Sequence, residues 1–183
     1  MEGTIHFVSE PGKGTRFTLV IPFLPDDSIE MQTEQTQSAG AVQGIENDKI
    51  LLVEDYEINM EIARFVLENE GAQVQEAWNG KEAVDLFAAS EPGGYDVILM
   101  DLMMPVMGGL EAAQCIRKLE REDAKTVPII AMTANAFADD EERSLAAGMD
   151  AHISKPLDAE KLIQVISDIC KKRKEHAKGD ADI

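Results

Sequence analysis

The chain carries 17 Lys and Arg against 35 Asp and Glu in 183 residues, a formal charge of −18, and 44% of its residues are apolar. Its apolar content supports a core and its length suits one ordinary domain plus extra segments, which excludes wholesale disorder and disfavours two full domains. The acidic balance disfavours contact with DNA or RNA, and neither a membrane helix of ~18–20 apolar residues nor a signal-peptide pattern is visible.

Residues 4–8 (Thr-Ile-His-Phe-Val) and 16–21 (Arg-Phe-Thr-Leu-Val-Ile) read as β-strands around the turn Ser9-Glu10-Pro11-Gly12-Lys13-Gly14-Thr15, hence a hairpin. A lone two-stranded hairpin is marginal in water, so it either packs on the main domain or ends a domain whose body lies elsewhere. Residues 25–48 are polar, lack apolar period and predict a linker. Lys49–Val53 then predicts a buried strand. Tyr56–Asn69 predicts a helix with Ile58, Ile62, Phe65 and Val66 as its apolar stripe, stopped by Gly71.

Ala72–Ala77 alternates like an edge strand, and Gly80–Ser90 reads as a helix with Ala83, Val84, Leu86 and Phe87 inward. Asp96–Met100 is a fully buried strand, and Leu110–Glu122 is helical after a loop holding Pro105, Gly108 and Gly109. Val127–Met132 and Ala151–Ser154 complete the strands; Ala136–Ala147, stopped by Gly148, and Asp158–Arg173 complete the helices. Five βα units imply an α/β fold, a doubly wound parallel sheet with helices on both faces. The run Lys171-Lys172-Arg173-Lys174 is expected to complement the C-terminus of the last helix, with residues 174–183 as a tail.

Acidic and hydroxyl residues recur at the C-terminal ends of the strands, where open parallel sheets bind ligands. These are Glu54 and Asp55 after strand one, Asp101 after strand three, Thr133 after strand four, and Ser154-Lys155-Pro156 after strand five. A strand order of 2-1-3-4-5 puts Glu54, Asp55 and Asp101 in one pocket. Carboxylates that close repel by roughly 4 kcal/mol per pair at 4 Å and an effective dielectric near 20. A hard divalent cation such as Mg²⁺, which accepts oxygen ligands and keeps waters, resolves the repulsion. Lys155 and Thr133 add a cation and a hydroxyl across the pocket. The set suits holding a phosphoryl group against Asp101, whose carboxylate can act as a nucleophile. A cis peptide at Lys155–Pro156 is expected, turning the ammonium inward.

The series Ile50-Leu51-Leu52-Val53-Glu54-Asp55, Met100-Asp101-Leu102-Met103-Met104-Pro105-Val106-Met107-Gly108-Gly109, Thr133-Ala134-Asn135 and Ser154-Lys155-Pro156 resembles response-regulator receiver domains, over residues 49–173. The resemblance implies a flavodoxin-like (βα)5 fold and phosphoryl transfer from phosphohistidine to Asp101. It also implies Mg²⁺ held by Glu54 or its bound waters, Asp55, Asp101 and the Met103 carbonyl, with Thr133 and Lys155 on the phosphoryl oxygens. Residues 1–24 resemble the final hairpin of a histidine-kinase ATP-binding domain, with Gly12-Lys13-Gly14-Thr15 like its last glycine box. The order is similar to a hybrid sensor histidine kinase cut near its last kinase strands.

Three positions depart from these patterns: Glu2 stands where a glycine is usual, Tyr56 where hybrid receivers often have Asn, and His152 where Tyr or Phe is common. The implied partner is a histidine kinase domain or histidine phosphotransfer protein, with a second copy of the chain as a further candidate. Neither nucleic acid nor membrane contact is expected. Cys115 and Cys170, without a CxxC or nearby His, argue against a disulfide framework or zinc site and for a reducing, cytoplasmic setting.

Two other functions compete. A Mg²⁺-dependent phosphohydrolase with an aspartyl nucleophile needs a second acid two residues on, and Met103 cannot serve. With Met103 and Asn135 placed as they are, an attacking water is poorly positioned, so an aspartyl phosphate is expected to last minutes or longer. A phosphorylation-independent interaction module with a relic site is the other reading. Glu54 and Asp55 alone could be helix N-cap acids, and the glycines at 12 and 14 could form a P-loop, although a hairpin turn accounts for them better.

Overall fold

The computed structural model describes residues 3–22, 44–134 and 138–179. Two units are present, a hairpin and a sheet domain. In the hairpin, β1 (Thr4–Glu10) pairs antiparallel with β2 (Gly14–Val20), and Phe7 faces Phe17. The strands run further into the expected turn than the sequence suggests. Positive φ angles at Gly12 (80°) and Gly14 (95°) close the turn tightly enough for Glu10 to pair with Gly14.

The sheet domain has five parallel strands in the order β4-β3-β5-β6-β7, the expected 2-1-3-4-5 topology. They are β3 (Lys49–Val53), β4 (Gln73–Ala77), β5 (Val97–Asp101), β6 (Ile129–Thr133) and β7 (Ala151–Ser154). β5 and β6 are buried along their whole length, as continuous β-branched and aliphatic runs covered on both faces should be. One core layer joins Ile50, Leu52, Leu99 and Met132 to helices α1 (Glu57–Asn69) and α6 (Ala159–Gly179). The opposite layer joins Leu51, Val53, Ile98 and Met100 to α2 (Gly80–Ala89) and α3 (Gly109–Arg117). Alternating residues of one strand therefore serve two cores.

Four expectations are corrected. The inward residues of α1 are Met60, Ala63 and Leu67, with Val66 partly buried against them, whereas Ile58, Ile62 and Phe65 are 54%, 52% and 71% exposed. Two apolar stripes share this helix, and the one that meets the sheet is rotated from the one expected. The predicted helix over 110–122 breaks after Arg117, and a separate short turn, α4 (Asp123–Thr126), precedes β6. Of the expected linker 25–48, residues 25–43 lie outside the described residues, and its last residues pack on the core instead: Ile45 is fully buried, and Asn47 N–H donates to the Gly71 carbonyl at 2.9 Å. The last helix continues to Gly179, so the basic run lies within α6 rather than at its end, and Arg173 donates to the Tyr95 and Asp96 carbonyls.

Of the remaining helix, α5 (Ala138–Ala146) ends near Gly148, whose φ is 88°. Asn135 lies outside the described residues. The Lys155–Pro156 bond is cis, as expected. Cys115 on α3 and Cys170 on α6 form no disulfide and belong to helices on opposite faces of the sheet.

Candidate functional site

The carboxyl ends of β3, β5, β6 and β7 converge at one mouth. Glu54, just past β3, is buried and anchored by its backbone N–H on the Ala77 carbonyl at 3.1 Å. Asp55 beside it is exposed, and Asp101 closes β5 as a buried residue. One carboxylate oxygen from each of Glu54, Asp55 and Asp101 lies within 4.8 Å of the others.

Lys155 reaches this cluster from beyond β7. Its ammonium donates to Asp101 Oδ2 at 2.7 Å and makes a very short contact with Glu54 Oε2. Burial works against the charged form of Lys155, but the hydrogen bonds and charges of Asp101 and Glu54 outweigh it and hold the lysine pKa above its ordinary value. The other Asp101 oxygen, Oδ1, accepts the Met103 N–H at 3.1 Å. Thr133, at the end of β6, is buried, and its carbonyl accepts the Lys155 N–H at 2.7 Å.

The loop after Asp101 is fixed by close approach. A Cβ at Gly109 would lie 2.1 Å from the Asp101 carbonyl oxygen, so only glycine lets α3 begin there. A Cβ at Gly80 would lie 2.6 Å from the Met107 carbonyl, which accepts the Gly80 N–H. Val106, at φ 68°, holds a left-handed conformation that a β-branched residue rarely adopts. The Met103 side chain is 82% exposed at the rim and offers no acid or base.

All six residues singled out in the sequence therefore lie at this one mouth, Met103 through its backbone N–H. Sequence reasoning missed Asn59: from the first turn of α1, its Nδ2 donates to Glu54 Oε1 at 3.0 Å. The available signal was spacing, since a residue at this point of the helix leans back toward the strand end. Glu54 and Asp55 do not cap α1; its N-cap is Tyr56, which makes no side-chain cap bond. His152, on β7, points Nδ1 at Glu141 Oε1 of α5 across 3.6 Å.

The profile described as "Response regulator receiver domain" matches residues 50–167. The chain belongs to the response regulator receiver family. The aerobic respiration control sensor protein ArcB of Escherichia coli K12 is 38% identical over 169 residues, covering 91% of this chain and 20% of that protein. Hybrid signal transduction histidine kinase I of Dictyostelium discoideum is 38% identical over 126 residues, covering 67% of this chain and 7% of its own length. The chain thus spans a fifth or less of these curated relatives. The receiver domain of sensor histidine kinase PA1611 from Pseudomonas aeruginosa PAO1, a crystal structure with magnesium in its active-site cleft, superposes with a TM-score of 0.62 at 35% identity. That match covers 68% of this chain and 98% of the other. Receiver domains share this five-stranded architecture, and among the described residues no helix is long and apolar enough to cross a membrane.

Proposed function

We propose that this receiver takes a phosphoryl group from phosphohistidine onto Asp101 within a two-component phosphorelay. The observation that carries the reading is the shared Lys155 ammonium between Asp101 and Glu54, at the mouth where Asp55 also stands. Three carboxylates face one ammonium there, and the donors are all hard oxygens. That set fits Mg²⁺ held by Glu54 or its waters, Asp55, Asp101 and the Met103 carbonyl. When bound, the ion would neutralise charge on the phosphoryl oxygens.

The chain's own residues supply the rest. An Asp101 oxygen forms the new bond to phosphorus as the bond to the donor imidazole breaks, and the imidazole nitrogen leaves as the neutral or protonated ring. Lys155 and the Thr133 hydroxyl hold the phosphoryl oxygens, and the Met103 N–H orients the carboxylate. Met103, exposed at the rim, occupies the position where a phosphohydrolase needs its second acid, and a thioether can neither protonate a leaving group nor orient an attacking water through a proton. This favours a stored acyl phosphate over a phosphohydrolase.

The donor is a helical histidine kinase or phosphotransfer domain. Supporting this, α1 begins beside the site and exposes Ile58, Ile62 and Phe65 along one stripe. The hybrid-kinase origin of residues 1–24 and a linker joining them to the receiver are supported by the relative ArcB, whose match is too long to be confined to residues 50–167.

Incubating the chain with acetyl phosphate and Mg²⁺, followed by intact mass, tests the reading. Wild type gains about 80 Da, the phosphoryl mass, and loses it over minutes or longer once the donor is removed. No gain favours the relic interaction module, and decay within seconds favours the hydrolase.

A further inference from the structure

Glu54 is a buried carboxylate whose two oxygens meet two different donors. Oε2 meets the Lys155 ammonium, which is divided between Glu54 and Asp101. Oε1 meets the Asn59 amide at 3.0 Å. A carboxylate only accepts, so the amide group facing Oε1 must be the NH₂. The two donors differ in what a divalent cation does to them. The ammonium is a positive charge in the same pocket, which a divalent cation repels. The amide is neutral, comes from the helix side and can stay. Asn59 is not the cap of α1, since Tyr56 is the N-cap, and its described bond runs across to the strand end.

We infer that Asn59 is a positioning residue for Glu54, fixing the carboxylate so that the pocket's affinity for Mg²⁺ depends on an amide that never touches the ion. This rests on the receiver-site reading above. Outer partners of metal ligands act this way by holding the ligand in one orientation and limiting the rearrangement that binding requires. The effect belongs to ion affinity, whereas Asp101 keeps its own contacts with Lys155 and Met103.

Calorimetric titration of the full chain with Mg²⁺ tests this on wild type, Asn59→Leu (similar shape, no donor), Asn59→Ala, Glu54→Gln and the double variant Glu54→Gln/Asn59→Leu. Thermal melting identifies which variants are folded, and either Asn59 variant suffices. The expected result is a loss of about tenfold in Mg²⁺ affinity for Asn59→Leu, with the Mg²⁺ concentration for half-maximal phosphoryl acceptance rising in step. In the Glu54→Gln background the same substitution adds less than about twofold, because its route of action is gone. A folded Asn59 variant with wild-type Mg²⁺ affinity, or a full additional loss in the Glu54→Gln background, overturns the inference while leaving the receiver reading intact. Wild type that binds no Mg²⁺ overturns both.

Discussion

The two ends of the parallel sheet use charge in opposite ways. At the amino end, three arginines are spent on carbonyls. Arg117 donates to the carbonyls of Gly148, Ala124 and Val127 and to Asp150. Arg121 spans Asp123 and the Phe87 and Ser90 carbonyls, with its guanidinium 4.5 Å over the Phe87 ring. Arg173 ties α6 to the start of β5. At the carboxyl end a single lysine serves two carboxylates, with a third beside them. Planar guanidinium with five donors suits fixed scaffolding, whereas a compact ammonium is a partner that can be exchanged. One end is closed and the other leaves negative charge in excess, and that excess is where chemistry can enter.

The contrast can be broken from either side. The largest effect is expected at the carboxyl end: Lys155→Ala slows phosphoryl acceptance by about 10²-fold in the intact-mass assay. Its loss of thermal stability is largely reversed by saturating Mg²⁺, since the ion replaces the missing positive charge. Arg117→Ala, at the amino end, lowers the unfolding free energy by about 2–4 kcal/mol, because buried carbonyls lose their donor. Denaturant melts should show the same loss with and without Mg²⁺. Rescue of Arg117→Ala by Mg²⁺ would erase the distinction.

A smaller effect follows from pH. Hydrogen bonds from Arg121 hold the Asp123 carboxyl below its ordinary value of 3.8, in spite of burial. The carboxylate's contribution is complete above that ordinary value and is lost as pH falls through the lowered one. Thermal midpoints should therefore drop as pH falls from roughly 4 to 2, and Asp123→Asn should flatten that part of the curve. The smallest effect is expected for Val106→Gly, which relieves a left-handed φ at an exposed position and raises stability by about 0.5–1 kcal/mol in the same denaturant melts.

The contrast also shows what sequence could reveal. The carboxyl-end site was legible because chemistry-bearing residues sit directly after apolar runs: Glu54 after Val53, Asp101 after Met100, Thr133 after Met132. Strand order then brings distant segments together, without any need to know side-chain packing. The amino-end network was not legible, because Arg117 and Arg121 bind backbone carbonyls, which carry no residue signature. The face of α1 failed for a related reason. Ile58, Ile62 and Phe65 repeat with helical spacing as well as Met60, Ala63 and Leu67 do, and only the sheet beneath selects between them. Ile45 was invisible because the few apolar residues scattered through 25–48 follow no period. Asn59 was missed because its importance lies in one hydrogen bond to a residue five positions away.

The proposed function requires a phosphorus–oxygen bond to form at the buried end of β5. Borohydride reduction of the phosphorylated chain, followed by peptide mass mapping, reports which side chain carried the acyl phosphate. The prediction is a single modified site, Asp101 converted to homoserine in a Mg²⁺-dependent manner, and no modification in Asp101→Asn. Reduction at Asp55, at Glu54 or at a residue outside this mouth, with Asp101 intact, would contradict it.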